Sequence, residues 1–191
     1  VCTRAKAMQK AAEEVAQQMA FIGKVDIEEI KNITKMCTCG RSCAVRVSNY
    51  LNPGGYVISG HKSAVERAVK QIKTDFPKST CILMKGNGAY HTPLMKSAQK
   101  PLKQALKEIE IKDPIIPVYS NVTSKPYKNA NHIRSELVTQ IVKPVLWEDS
   151  LRRLIDVGFE EFHECGPRVQ IKNHMRFINM DVWKNMRFES V

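Results

Sequence analysis

The chain has 191 residues, with 30 Lys and Arg against 19 Asp and Glu, a formal net charge of +11. Its 43% hydrophobic and 26% charged residues are those of an ordinary globular protein, and no apolar run approaches the ~18 residues that a membrane span needs. The positive excess favours acidic partners, but aromatic residues are only 7% and the basic ones are dispersed, so no stacking platform for nucleic acid is built.

Thr3 to Gln18, rich in Ala, Glu, Gln and Lys, predicts a helix. Met19 to Ile22 is a short apolar strand ending at Gly23, and Ile27, Ile30 and Ile33 recur at helical spacing up to Met36. Ala44 to Leu51 alternates as a strand does, turns at Asn52-Pro53-Gly54-Gly55 and meets a partner strand from Tyr56 to Ser59. Ser63 to Phe76 sets Val65, Ala68, Val69, Ile72 and Phe76 on one helical face, with Ser63 as its cap, and Thr80 to Met84 is a last apolar strand. Strand, helix, strand, strand, helix, strand is the order of a ferredoxin-like βαββαβ unit. Residues 19–84 are therefore expected to form a ferredoxin-like subdomain inserted between 1–18 and 85–191.

Those flanking segments read together as a larger α/β subdomain with a layered core. Thr92 to Glu110 predicts a helix kinked at Pro101, and Ile115 to Asn121 a buried strand. Ile133 to Val142 and Trp147 to Val157 predict helices, the second stopped by Gly158, and Glu160 to Cys165 a short strand before the turn Gly166-Pro167. Val1 falls inside a helical pattern, so an upstream segment is expected and no targeting sequence is readable.

Six cysteines include the cluster Cys37, Cys39 and Cys43. It lacks paired C-x2-C knuckles and a close histidine, so free thiols in a reducing compartment are expected and no metal site. Three other positions carry possible chemistry. His91 ends the glycine-rich turn Gly86-Asn87-Gly88-Ala89-Tyr90 and precedes a helix, which suits either a general base or a helix cap. Arg4 and Gln140, taken singly, read as ordinary polar helix residues. The chain contains no Gly-x-Ser-x-Gly, the turn on which a base of this kind finds its serine.

Taken in order, six segments resemble the malonyl-coenzyme A:acyl carrier protein transacylases, most of all the mitochondrial form of animals. They are Arg4 to Gln9, Asn49 to Pro53 with Val57 to His61, Gly88 to Met95, Val118 to Val122, Gln140 through Pro144 to Trp147, and Glu164 to Pro167. The resemblance runs over essentially the whole chain. It implies a hydrolase-like layered α/β core, incomplete here, carrying the ferredoxin-like insertion. It implies transfer of a malonyl group from malonyl-coenzyme A to the phosphopantetheine thiol of acyl carrier protein, through a serine acyl-enzyme and for fatty acid synthesis. His91 would be the base, Gln140 would hold the imidazole through its backbone carbonyl, and Arg4 would clamp the free malonyl carboxylate.

The family's serine elbow precedes the Arg4 helix, so the nucleophile is expected outside these residues. Losing a nucleophile costs on the order of a million-fold in turnover, and the 191 residues alone are expected to be inactive. The alternative is a truncated relative without catalysis that binds carrier protein or coenzyme A. No cofactor is implied beyond malonyl-coenzyme A as substrate. The further expectations are a mitochondrial matrix location, a monomer, and neither nucleic acid nor membrane as partner. Two departures from the family pattern are Arg168 in place of the glycine after Gly166-Pro167, which questions the local turn, and Gly86-Asn87 in place of Val-Ser.

Overall fold

The computed structural model describes residues 1–190 as a mixed α/β protein. Helix α1 (Cys2–Glu13) leads into β1 (Gln17–Gly23), α2 (Ile27–Met36), β2 (Val45–Asn52), β3 (Gly55–His61), α3 (Lys62–Asp75) and β4 (Thr80–Leu83). These strands form one sheet in the order β4-β1-β3-β2, every neighbouring pair antiparallel. The apolar positions seen in the sequence explain why. Ile22 on β1, Ile58 on β3, Ile30 on α2 and Val65 and Ile72 on α3 meet in one buried cluster between sheet and helices. The β2–β3 turn takes its sharpness from Gly54, at φ +74°.

A second cluster forms where α1 packs on the segment after residue 92. A 3-10 turn (Pro93–Ala98) runs into α4 (Gln99–Lys107), and α5 (Ala130–Thr139) crosses them. Met8, Ala11, Met95, Leu102 and Ile141 are buried between these elements. The two-residue β5 (Val145–Leu146) then pairs in parallel with β2, joining this unit to the sheet edge. Helix α6 (Trp147–Asp156), β6 (His163–Gly166), α7 (Ile171–Ile178), α8 (Met180–Asn185) and β7 (Arg187–Ser190) complete the described chain. Here β6 and β7 form a separate parallel pair. The buried Glu164 carboxylate accepts hydrogen bonds from the Gln170, Ile171 and Lys172 amides, capping α7. Burial pushes that carboxyl up, and the three backbone donors pull it further down, below its ordinary value.

Several expectations need correction. The segment Ile115 to Asn121 is not a buried strand: Ile115 is 99% and Ile116 68% exposed, and one isolated bridge, Tyr119 to Pro126, is its only pairing among the described residues. An apolar run reports a demand for burial but not which element will meet it. The helix break near Pro101 falls at residues 98–99, leaving Pro101 in the first turn of α4, where its missing N–H costs no bond. The first helix ends at Glu13, and Gln17 and Gln18 belong to β1. Ser63 is not the cap of α3. That position is His61, and Ser63 lies inside the helix. Arg168 does not enter the left-handed region, so its turn holds without the glycine of the family pattern.

Strand β3 passes so close to the chain before β2 that a Cβ on Gly60 would collide with the Ala44 carbonyl oxygen and press on the Val45 Cα. Both are backbone atoms and cannot swing away. Gly60→Ala is therefore expected to cost about 1–3 kcal/mol through overpacking, read as a lower urea midpoint at unchanged slope.

Candidate active site

Residues 85–92 form the turn that presents His91. Gly88 lies against the Tyr90 ring, which a Cβ there would have to displace. Ala89 is fully buried, and its amide donates to the Oε1 of Gln17 at 2.7 Å. The Gln17 amide group in turn donates to the Ala11 carbonyl of α1 at 2.8 Å. One buried glutamine thus fastens the turn to α1 and β1 together. The helix-capping task falls to the neighbour of His91: Thr92 Oγ1 accepts from Leu94 N–H and donates to the Ala89 carbonyl at 2.6 Å. His91 is free of that role.

His91 itself sits at φ +61°, in the left-handed region. For a non-glycine residue such backbone costs about 1 kcal/mol or more and persists only where the surroundings impose it. What imposes it here is Gln17 behind the turn and Gln140 in front of it. His91 Nδ1 lies 2.9 Å from the Gln140 backbone oxygen. A carbonyl can only accept, so Nδ1 carries the hydrogen and Nε2 keeps the lone pair. Burial lowers the pKa of His91, the Arg4 charge adds to that, and the Gln140 and Lys143 backbone contacts oppose it. The imidazole is held neutral, in the tautomer a base requires.

Gln140 follows the last turn of α5 and serves two neighbours at once. Its backbone oxygen accepts from His91, while its side-chain Oε1 accepts from Arg4 Nη1 at 2.7 Å. Arg4 Nε points to Met8 Sδ at 3.4 Å. Among the described residues Nη2 has no hydrogen-bond partner, and no carboxylate forms an ion pair with Arg4. Burial lowers the guanidinium pKa, and proximity to Tyr127 partly opposes the shift. A half-buried cation without an anion is an open place for one. The structure therefore brings together three residues 49 and 136 positions apart in the chain.

His91 lines a cleft of about 530 Å³ together with Met8, Met19, Asn49, Met84 and Tyr90, a size suited to a small ligand or a ligand arm. The register of β2 shifts between Val47 and Asn49, a bulge of the kind that re-aims a side chain. Sequence reasoning missed Gln17, for a polar residue opening an apolar strand gives no sign that it will be buried. No Gly-x-Ser-x-Gly occurs in the chain. Among the described residues no group of three His, Cys, Asp or Glu is arranged to hold a metal.

No protein-family model matches the chain. The human mitochondrial malonyl-CoA-acyl carrier protein transacylase is 35% identical over 192 residues, spanning 95% of this chain and 49% of its own length. The corresponding enzyme of Escherichia coli strain K12 is 35% identical over 164 residues, 86% of this chain and 52% of its own. Among solved structures, the malonyl CoA-acyl carrier protein transacylase of Coxiella burnetii superposes with a TM-score of 0.89 at 29% identity, covering 98% of this chain and 57% of that one. A malonyl-transacylase solved in complex with its type II PKS acyl-carrier protein gives 0.88 at 31% identity, covering 98% and 59%. Homologues of that name, animal mitochondrial forms among them, thus align with most of this chain, and the chain spans about half the length of the curated relatives it matches.

Because His91 is depressed in the folded state, it is neutral in both states well above its ordinary value of about 6.5 and contributes no pH dependence there. As pH falls through that value the unfolded chain takes up the proton first, so stability is expected to fall. His91→Asn, a residue that tolerates positive φ, should make this slope between pH 7 and 5 shallower. His174, also depressed by burial, leaves a residual slope of the same sign, and His163, raised by Glu161 and Glu189, acts in the opposite sense. Urea titrations of both proteins across that range give the comparison.

Proposed function

We propose that this chain is the histidine- and arginine-bearing part of a malonyl-coenzyme A:acyl carrier protein transacylase, working in fatty acid synthesis. The observation that carries this reading is Gln140, which holds a neutral His91 by its backbone and, by its side chain, an Arg4 that has no carboxylate partner among the described residues. A serine supplied by sequence outside these 191 residues attacks the malonyl thioester. His91 Nε2 takes the serine proton and passes it to the departing coenzyme A sulfur, which leaves as a thiol while the malonyl group stays on the serine oxygen. In the return step His91 accepts the proton of the carrier protein's phosphopantetheine thiol, the sulfur collects the malonyl group, and the proton passes from His91 to the released serine oxygen. Arg4 pairs its guanidinium with the distal malonyl carboxylate, a charge that an acetyl group lacks. Only malonyl-coenzyme A and carrier protein are needed, and no cofactor takes part.

The fold reading is part of the same proposal. Residues 19–84 form a ferredoxin-like subdomain inserted into a hydrolase-like α/β core made by 1–18 and 85–191, a core completed by sequence outside this chain. The β4-β1-β3-β2 order of the antiparallel sheet supports the first part. The net charge of +11 suits two acidic partners, coenzyme A and carrier protein. A monomer in the mitochondrial matrix is the state in which we expect it to work. A second reading, carrier or coenzyme A binding without turnover, is favoured by one observation, the lack of Gly-x-Ser-x-Gly in the chain.

The test uses the complete polypeptide encoded with this chain. On the first reading, malonyl-coenzyme A leaves a malonyl adduct on a serine, which holo carrier protein then removes; mass spectrometry finding no adduct would favour the second. In the same polypeptide Arg4→Ala is expected to raise acetyl relative to malonyl transfer about tenfold or more, the worth of a lost charge-assisted contact. An unchanged ratio refutes the clamp.

A further inference from the structure

Away from this site, three cysteines gather around one arginine. Arg67 rises from α3, and its Nη2 lies 2.9 Å from Cys43 Sγ, 2.9 Å from the Cys37 carbonyl oxygen and 4.0 Å from Cys39 Sγ. The carbonyl fixes the guanidinium in place. Among the described residues no carboxylate neutralises it, so its charge rests against sulfur. The Ser63 hydroxyl lies 3.7 Å from the same Cys43 sulfur. Cys43 is partly exposed, and Cys39 is exposed. The loop between them is closed by the Cys39 N–H donating to the Cys43 carbonyl at 2.8 Å. Such a backbone pair brings two Cα atoms into the ~4.4–6.8 Å range that a disulfide spans.

We propose that Cys43 is an oxidant-reactive thiolate and that Cys39 resolves it into a reversible intramolecular disulfide. The Arg67 hydrogen bond lowers the Cys43 thiol pKa, and the one from Ser63 adds to it. The thiolate, not the thiol, is the reacting form. With a peroxide as oxidant, the Cys43 sulfur attacks the O–O bond, becoming a sulfenic acid while the peroxide is reduced and its departing oxygen takes a proton. The Cys39 sulfur then attacks the Cys43 sulfur, the S–S bond forms, and the sulfenic oxygen leaves as water with the Cys39 proton. Cys37 is a poorer partner, because it packs against the core and burial raises its thiol pKa. The linked loop has a further consequence. Thr38, Gly40, Arg41 and Ala44 line one wall of a second cleft, about 540 Å³, whose opposite wall is Thr92 to Leu94 and Lys96, directly after His91. The disulfide would reset that wall.

The experiment is performed on the reduced protein with limiting iodoacetamide at several pH values, each cysteine followed by peptide mass spectrometry. Cys43 is expected to react about fivefold or more faster at pH 7 than Cys2 and Cys165, which are exposed and which no arginine of the described residues hydrogen-bonds. Arg67→Met should abolish the lead, and if that variant does not fold, the Cys43 pH profile in the unaltered protein decides by its midpoint relative to Cys2 and Cys165. Hydrogen peroxide should then give a Cys39–Cys43 link reversed by dithiothreitol. In Cys39→Ser the Cys43 sulfenic acid should instead persist and be trapped by dimedone. Equal alkylation rates for Cys43 and the exposed cysteines, a Cys43 left reduced by peroxide, or a link to any other cysteine would overturn the proposal.

Discussion

The hydrogen bond from His91 Nδ1 to the Gln140 carbonyl is the constraint around which this chain is arranged. To make it, the turn after β4 must stop in a left-handed backbone at His91, and the end of α5 must arrive opposite. The turn is held from behind by Gln17, buried and bonded at both ends, and α5 is held by the apolar seam of Met8, Met95, Leu102 and Ile141. Strain of about 1 kcal/mol or more at one residue is carried by packing that buries several whole side chains, each worth ~1.5–3 kcal/mol. The balance is decided away from the site, which leaves the imidazole free to face the cleft.

A second consequence follows from placing Arg4 on the other side of Gln140. Its charge helps burial to keep the imidazole neutral, while among the described residues the Arg4 Nη2 group has no acceptor. A nearby carboxylate would satisfy Arg4 and would at the same time pull His91 toward the protonated form. The lack of such a carboxylate among the described residues therefore serves both groups. One glutamine holds the guanidinium and the imidazole in register with each other.

The two packing units contribute unequally to this arrangement. The antiparallel sheet with α2 and α3 supplies Met19 and Asn49 to the cleft wall, while Arg4 stands on α1 and His91 in the turn after β4. The short parallel contact of β5 with β2 and the Gln17 bridge are the polar ties between them. The Cys37 to Cys43 loop belongs to the first unit, yet it walls the second cleft beside the His91 turn. Thiol chemistry there would act on the seam between the units, at the edge of the first core.

Much of this was legible in the residues themselves. Alternation and helical spacing located β1, β2, β3, α2, α3 and α6, because a periodic apolar face has one comfortable way to be buried. The glycine turn marked His91 as a residue held by backbone. Spacing could not show that Arg4, His91 and Gln140 meet, since contacts across 136 residues depend on how whole helices dock. Nor could it show that the cap of the following helix is made by the Thr92 hydroxyl and not by His91. The run at Ile115 to Val118 misled for the same reason: apolarity is a local property, and burial needs a neighbour that only the tertiary structure can provide. The sequence by itself determined which segments are helix or strand over most of the sheet and which side chains could do chemistry. The tertiary structure alone decided which of them share a carbonyl, a cleft or a cation, because those relations are set by long-range packing.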